Sequence, residues 1–274
     1  MGSDMPAEDL GRFAAEIRKL AVSMVAEARA SHIGGALSLA DVVAVLYGRT
    51  ANVKPSAPNW SGRDRIILSK GHSCVAIYAA LALRGFIPRG ELVTYGQDGS
   101  RLMAHISHHV PGVEFSTGSL GHGLSFAVGR ALAAKRRGAP YRTFALLSDG
   151  ELNEGSTWEA FLFAPQHHLD NLVAVIDYNK IQSLGAVADV LELHPLAAKL
   201  SSFRWAVREI DGHDLAEIEG ALTTAPWEPG RPSCLIAHTT KGKGVDFMEG
   251  ELAWHYKSPA GTELTEALRQ LGET

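Results

Sequence analysis

Asp149 and Asn179 have the types and the spacing to hold a metal and a phosphate together. Residues 143–147 are an apolar run that closes on Ser148-Asp149-Gly150, and residues 172–177 are a second that closes on Tyr178-Asn179-Lys180-Ile181. The segment between them is long enough for a crossover helix, so the two strands are expected to be parallel neighbours. Their ends then meet at one edge of a sheet, where open α/β sheets bind ligands. One carboxylate and one amide oxygen are a poor cage for a bare cation. They suit Mg²⁺, which takes octahedral oxygen ligands and keeps substrate phosphates among them. Gly150 allows close backbone approach to a phosphate, and a following helix can aim its N–H groups at it.

The elements that must position this pair can be read from periodicity and breakers. Residues 10–30 carry apolar residues at helical spacing, and Gly34-Gly35 is expected to end that region. Ser38-Leu39-Ala40-Asp41 reads as an N-cap with an acidic third position, opening a helix to about Tyr47. A short strand, Arg65–Leu68, leads to His72, and residues 73–84 form a helix stopped by Gly85. Residues 95–120 are irregular and rich in Gly, Pro and His, a length of loop that usually serves function. A helix over 123–137 closes on Gly138. Beyond it strands and helices alternate: 143–148, 156–164, 172–177, 196–203, 205–210, 215–224, 234–238 and 263–271. Pro165 is expected to end the helix that follows Asp149. Such alternation predicts the α/β class, a central parallel sheet with helices on both faces.

The chain has twelve histidines, several of them in Gly-rich loops. The stretch from Ser148-Asp149-Gly150 to Asn179 resembles the thiamine-diphosphate motif, a Gly-Asp-Gly with Asn some thirty residues later; Ser148 replaces the first Gly. Ala30-Ser31-His32-Ile33-Gly34-Gly35 and Leu68-Ser69-Lys70-Gly71-His72 look like the two histidine loops of transketolases. Pro111-Gly112-Val113-Glu114 through Thr117-Gly118-Ser119-Leu120-Gly121 is similar to a third family loop. Thr240-Lys241-Gly242-Lys243-Gly244 followed by Trp254-His255 matches the end of the same domain. The matches run in family order over about residues 10–260, and together they resemble the N-terminal, diphosphate-binding subunit of a split transketolase.

That resemblance implies the thiamine-diphosphate-binding fold over residues 1–274 as a single diphosphate-binding domain, with thiamine diphosphate and Mg²⁺ as cofactors. It implies Asp149, Asn179 and the Ile181 carbonyl as metal ligands. His72, Gly118, Ser119, Leu120, Gly150, Glu154, Asn179 and His255 are then cofactor-binding. His32 and His255 reach the reactive carbon, where an imidazole can donate to a carbonyl oxygen or shuttle a proton. His105 matches the substrate-contacting histidine less securely, since Ala104-His105-Ile106 replaces Gly-His-Pro, and His108 and His109 compete for the role. Glu154 matches an acid that networks with a partner's glutamate; it also reads as an acid at a helix N-terminus. Ile33, Ile106, His122 and Tyr256 depart from the pattern. The implied reaction moves a two-carbon ketol unit from a ketose to an aldehyde. The glutamate that activates the cofactor belongs to the pyrimidine-binding domain. A C-terminal transketolase subunit is therefore the expected partner, in an α₂β₂ assembly acting on small sugar or keto-acid substrates.

The bulk numbers agree. The chain has 274 residues, 46% hydrophobic, with a formal net charge of −4 spread along it. It has no basic block for nucleic acid. The first nine residues lack the pattern of a signal peptide, and no apolar run is expected to reach the ~18 residues of a membrane span. Two cysteines, Cys74 and Cys234, imply neither zinc nor a disulfide framework and fit a reducing cytoplasm. Two alternatives stay open: another thiamine-diphosphate lyase or ligase, acyloin-forming or of the deoxyxylulose-phosphate type, and a non-catalytic relative. A nicotinamide-binding protein is disfavoured, since no Gly-x-Gly-x-x-Gly follows an early strand.

Overall fold

Side chains that alternate along five strands meet two different layers of helices, and this sandwich frames the site. The structure, a computed structural model, describes residues 7–272; the reading of the first residues as carrying no leader lies outside them. The strands are β1 (Arg65–Leu68), β2 (Thr143–Ser148), β3 (Leu172–Tyr178), β4 (Ala206–Asp211) and β5 (Ser233–His238). They form one sheet in the order β1-β2-β3-β5-β4, and every neighbouring pair is parallel. The helices are α1 (Ala7–Ala28), α2 (Ile33–Val45), α3 (Cys74–Leu83), α4 (Gly123–Arg137), α5 (Gly155–Gln166), α6 (Val187–Val190), α7 (Leu196–Ser202), α8 (Leu215–Thr223) and α9 (Thr262–Gln270).

Successive strand residues point to opposite faces. Ile66, Leu68, Phe144, Leu146, Val173, Val175 and Leu235 share one core with α1, α2, α3 and α8. Ile67, Ala145, Leu147, Ala174, Ile176 and Ile236 share the other with α4, α5 and α7. The expected parallel sheet with helices on both faces is what forms. Strand β2 pairs with β3 so that Ser148 lies opposite Asp177, which brings Asp149 and Asn179 to the same edge.

Four details differ from the sequence reading. Gly34 and Gly35 do not end a helical region; they lie within α2, which starts at Ile33. Ser38 is consequently not an N-cap but an interior residue, and its hydroxyl donates to Asp177 at 2.6 Å. Pro165 lies in the last turn of α5, which runs one residue further, to Gln166. Finally, Ile33–Thr50 is a continuous helical stretch of 18 residues, apolar enough to span a membrane by composition. It is 94% buried inside the protein. All thirteen residues of α2 are buried, covered by α1, α3 and α8, as expected of a core helix that is hydrophobic all round. Cys74 and Cys234 are free and buried.

Candidate active site

The carboxyl edge of the sheet opens into a cavity of about 350 Å³. Asp149 ties the ends of β2 and β3 together. Its Oδ1 accepts from the Gly150 N–H and its Oδ2 from the Lys180 N–H, both at 2.7 Å. Asn179 Oδ1 accepts from the Ile181 N–H at 3.2 Å. Burial, and then the negative charge of Asp177, push the Asp149 carboxyl up to about 6. A buried carboxylate held beside another is a seat for a cation. Among the described residues no cluster of three or more His, Cys, Asp or Glu side chains could hold a metal by itself. The donor set here is instead one carboxylate, one amide and one carbonyl, which needs oxygens from a second molecule. The Ile181 carbonyl also accepts from the Lys241 ammonium at 3.0 Å.

Four histidines distant in sequence meet at the wall of the same cavity. The His32 ring centroid lies 5.2 Å from that of His72, 5.9 Å from His105 and 5.0 Å from His255. His72 and His255 are 5.6 Å apart. His32 sits immediately before α2 in the left-handed region, at φ 74°, a conformation that costs a non-glycine residue roughly 1–3 kcal/mol and concentrates at functional sites. His72 occupies a short turn after β1. The preceding Gly71 is required there, since a Cβ would stand 2.2 Å from the Thr117 carbonyl oxygen. The Gly71 carbonyl in turn accepts from the Ile106 N–H at 3.0 Å, bringing His105 to the wall.

Burial first, and then neighbouring positive charge, lower His32, His72 and His255 from the usual imidazole value. His32 falls to about 4, by burial first and then by the electrostatic influence of His105 and Lys241. His255 falls to about 3, with Lys241 foremost. His72 is held well below the usual imidazole range by burial and by Lys70.

The structure brings His32, His72, His105, His255, Gly118, Leu120, Asp149, Gly150, Glu154, Asn179 and Ile181 to the cavity wall. Ser119 does not join them: it is exposed, at the turn between Gly118 and Leu120. His108 and His109 are exposed and lie outside the wall; their rings pair with each other at 4.2 Å, and His108 Nδ1 meets Ser116 Oγ at 2.7 Å. Of the three competing histidines, His105 is the one at the cavity. Glu154 immediately precedes α5 at the rim, and its side chain makes no capping hydrogen bond. Tyr256 donates from its hydroxyl to the Ser183 carbonyl at 3.1 Å, closing the flank beside His255.

Four charged residues here, Lys70, Asp177, Lys241 and Glu151, were given no role in the sequence reading. Lys70 is fully buried, and its ammonium pairs with Asp177 and donates to the Gly35 carbonyl at 3.1 Å. Burial raises Asp177, but Lys70 and the hydroxyls of Ser38 and Thr239 bring it below its ordinary value. Lys241 is 2% exposed and reaches both Ile181 and His255. Glu151 is wholly buried, accepting from Ser69 Oγ and from the Gly121 N–H. A signal existed for Asp177, a carboxylate closing an otherwise apolar run.

A polar region with a cation seat, a bare Gly118 and the apolar Leu120 at the wall, and a cluster of imidazoles together fit a phosphorylated heterocyclic cofactor. The comparisons with known proteins agree. Residues 11–273 match the family described as transketolase, thiamine diphosphate binding domain. The chain belongs to the transketolase family, as that family's thiamine-diphosphate-binding domain. It is 42% identical to one of the subunits of the apulose-4-phosphate transketolase of Phocaeicola vulgatus, covering 98% of this chain and 96% of that one. It is 43% identical to the 6-deoxy-6-sulfo-D-fructose transketolase subunit SqwG of a Clostridium species, covering 90% of each. The crystal structure of the Campylobacter jejuni transketolase superposes with a TM-score of 0.92 at 32% identity, covering 98% of this chain and 43% of that one. The chain thus spans less than half of that transketolase. The resemblance to the diphosphate-binding subunit of a split transketolase is borne out by these matches, and so is the fold.

Proposed function

We propose that the chain is the diphosphate-binding half of a two-component transketolase, which moves a two-carbon ketol unit from a ketose donor to an aldehyde acceptor. The observation that carries this reading is the meeting of His32, His72, His105 and His255 beside Asp149 and Asn179 at one sheet edge. Bound thiamine diphosphate supplies the carbanion chemistry, which no side chain here can perform. Asp149, Asn179 and the Ile181 carbonyl hold Mg²⁺ jointly with the diphosphate, and His72 donates to that diphosphate. His32 and His255, kept neutral, bind and relay protons at the oxygens of the substrate carbon being cleaved. His105 bonds a hydroxyl of the transferred unit. Glu154 at the rim faces the partner.

Residues 1–274 act as one domain, and the pyrimidine-binding domain resides on a separate chain. Loop 111–121 and helix α4 line the contact, in an α₂β₂ assembly in the cytoplasm. The two similar subunits are named for a sugar phosphate and a sulfo-sugar, which supports a ketose with an anionic end group as the donor. The test is a panel of anionic and neutral ketoses given to the cofactor-loaded pair with an aldehyde acceptor. Ketol-extended product from an anionic ketose is expected; no product from any ketose by a pair that binds cofactor overturns the reading.

A further inference from the structure

One buried carboxylate oxygen joins three segments of the cavity wall. Glu151 follows the Asp149-Gly150 turn and is wholly buried. Its Oε1 accepts from Ser69 Oγ, just past β1, and from the Gly121 N–H, just before α4, the latter at 2.8 Å. Each segment supplies part of the wall: Lys70 and His72 follow Ser69, Gly118 and Leu120 precede Gly121, and Asp149 and Gly150 precede Glu151. Oε2 has no hydrogen-bond partner among the described residues, so the junction rests on Oε1.

The backbone around the junction is fixed on both sides. The Glu151 N–H donates to Ser148 Oγ and its carbonyl accepts from Thr157 Oγ1, both at 3.2 Å. Gly121 has φ 86°, and a Cβ there would stand 2.5 Å from Ser156 Oγ and 2.8 Å from Glu154 Cβ. Its carbonyl accepts from Ser156 Oγ at 2.9 Å. At Gly123 a Cβ would stand 2.3 Å from Ser69 Oγ. The loop thus lies with bare backbone against Ser69 and the start of α5. A buried carboxylate is a poor source of stability, since desolvation offsets what its bonds return. What it supplies here is position, through a charge-assisted bond about twice as strong as a neutral one.

We propose that Glu151 is a positioning residue that holds loop 118–121 against the turn carrying Asp149, so that Gly118 and Leu120 keep a fixed place relative to the cation seat before a ligand arrives. Such preorganisation strengthens binding by removing the cost of ordering the wall. The cofactor part rests on the transketolase reading; the junction itself stands without it.

The test compares Glu151→Gln with Glu151→Met, side chains of similar length of which only the first keeps a strong acceptor at the Oε1 position. Amide hydrogen exchange of the full chain, read by NMR, reports the junction without any cofactor. In Glu151→Met the Gly121 N–H should exchange about tenfold faster or more, the size expected for losing a hydrogen bond to a charged group, while the β2 and β3 amides keep their wild-type rates. Glu151→Gln should restore most of the protection. In the reconstituted pair, calorimetry should show thiamine diphosphate binding weakened about tenfold or more by Glu151→Met and largely restored by Glu151→Gln, with kcat at saturating cofactor falling less than the affinity. Should Glu151→Met fail to fold, Ser69→Ala removes the other donor to Oε1 and should raise Gly121 exchange in the same sense. Unchanged Gly121 exchange in the variant that folds, equal loosening of β2 and β3, or a Glu151→Gln protein that behaves as Glu151→Met overturns the proposal. A wild-type pair that binds no thiamine diphosphate, with Gly121 protected through Glu151, would instead overturn the transketolase reading alone.

Discussion

The backbone N–H of His32 donates to the backbone carbonyl of His255 at 2.9 Å, joining the start of α2 to a turn more than two hundred residues later. Their ring centroids consequently lie 5.0 Å apart, whereas His72 descends from the β1 edge by a separate route. These two origins predict two phenotypes. His32→Ala and His255→Ala should lower turnover by about 10²–10⁴-fold with bound cofactor retained. His72→Ala should mainly raise the cofactor concentration needed for half-maximal activity. Rescue of His32→Ala by excess cofactor, with none for His72→Ala, would reverse the assignments.

His32 also predicts a pH dependence of stability. Burial and nearby positive charge lower it from the ordinary 6.5 to about 4. Between those values the unfolded chain binds a proton at this residue and the folded chain does not, so the contribution to stability falls as pH drops from 6.5 toward 4. Denaturant melts of wild type and His32→Gln at pH 7 and pH 5 measure the difference. The wild type should lose more stability than the variant over that interval; parallel losses would show that the ring titrates normally.

In the same cavity Asp149 is the one carboxylate among the proposed metal ligands. Asp149→Ala should weaken thiamine diphosphate binding at least about tenfold, or roughly 1.4 kcal/mol, and chelation of Mg²⁺ should weaken wild type in the same way. Calorimetric titration of the reconstituted pair reads both. Unchanged affinity in the variant would remove Asp149 from the metal site.

Much of this was legible in the sequence where a local pattern carried it. Apolar runs ending at Ser148 and Tyr178 revealed β2 and β3, and so the edge on which Asp149 and Asn179 meet. What stayed hidden depends on packing across the fold. Lys70 and Lys241 stood inside motifs without a role of their own, because nothing nearby in sequence announces Asp177, Ile181 or His255 as their partners. Ser38 followed by an acid at Asp41 mimicked a helix cap, yet Ser38 turns to Asp177, and Asp41 pairs with Arg18 and His213. Gly34 reads as a helix breaker and is in fact the space through which Lys241 passes.

His105 carries the prediction on substrate. It is the histidine of its loop that reaches the cavity, and Gly118, whose Cβ would stand 3.3 Å from the His105 ring, leaves room for it. A site that bonds a hydroxyl discriminates against a donor lacking one. His105→Ala should therefore lower kcat/KM for a ketose more than for pyruvate. An unchanged ratio would exclude His105 as the hydroxyl contact, and a wild-type preference for pyruvate would point to acyloin-forming chemistry.

On the proposed reading the cavity is half of a catalytic site, completed by a glutamate from a pyrimidine-binding chain. The most direct test is steady-state ketol transfer with thiamine diphosphate and Mg²⁺ saturating, measured for this chain alone, for its partner alone, and for the two titrated together. Neither chain should turn over by itself, and activity should rise to saturation at equimolar mixing. Sustained ketol transfer by the purified chain without any partner would contradict the two-component reading.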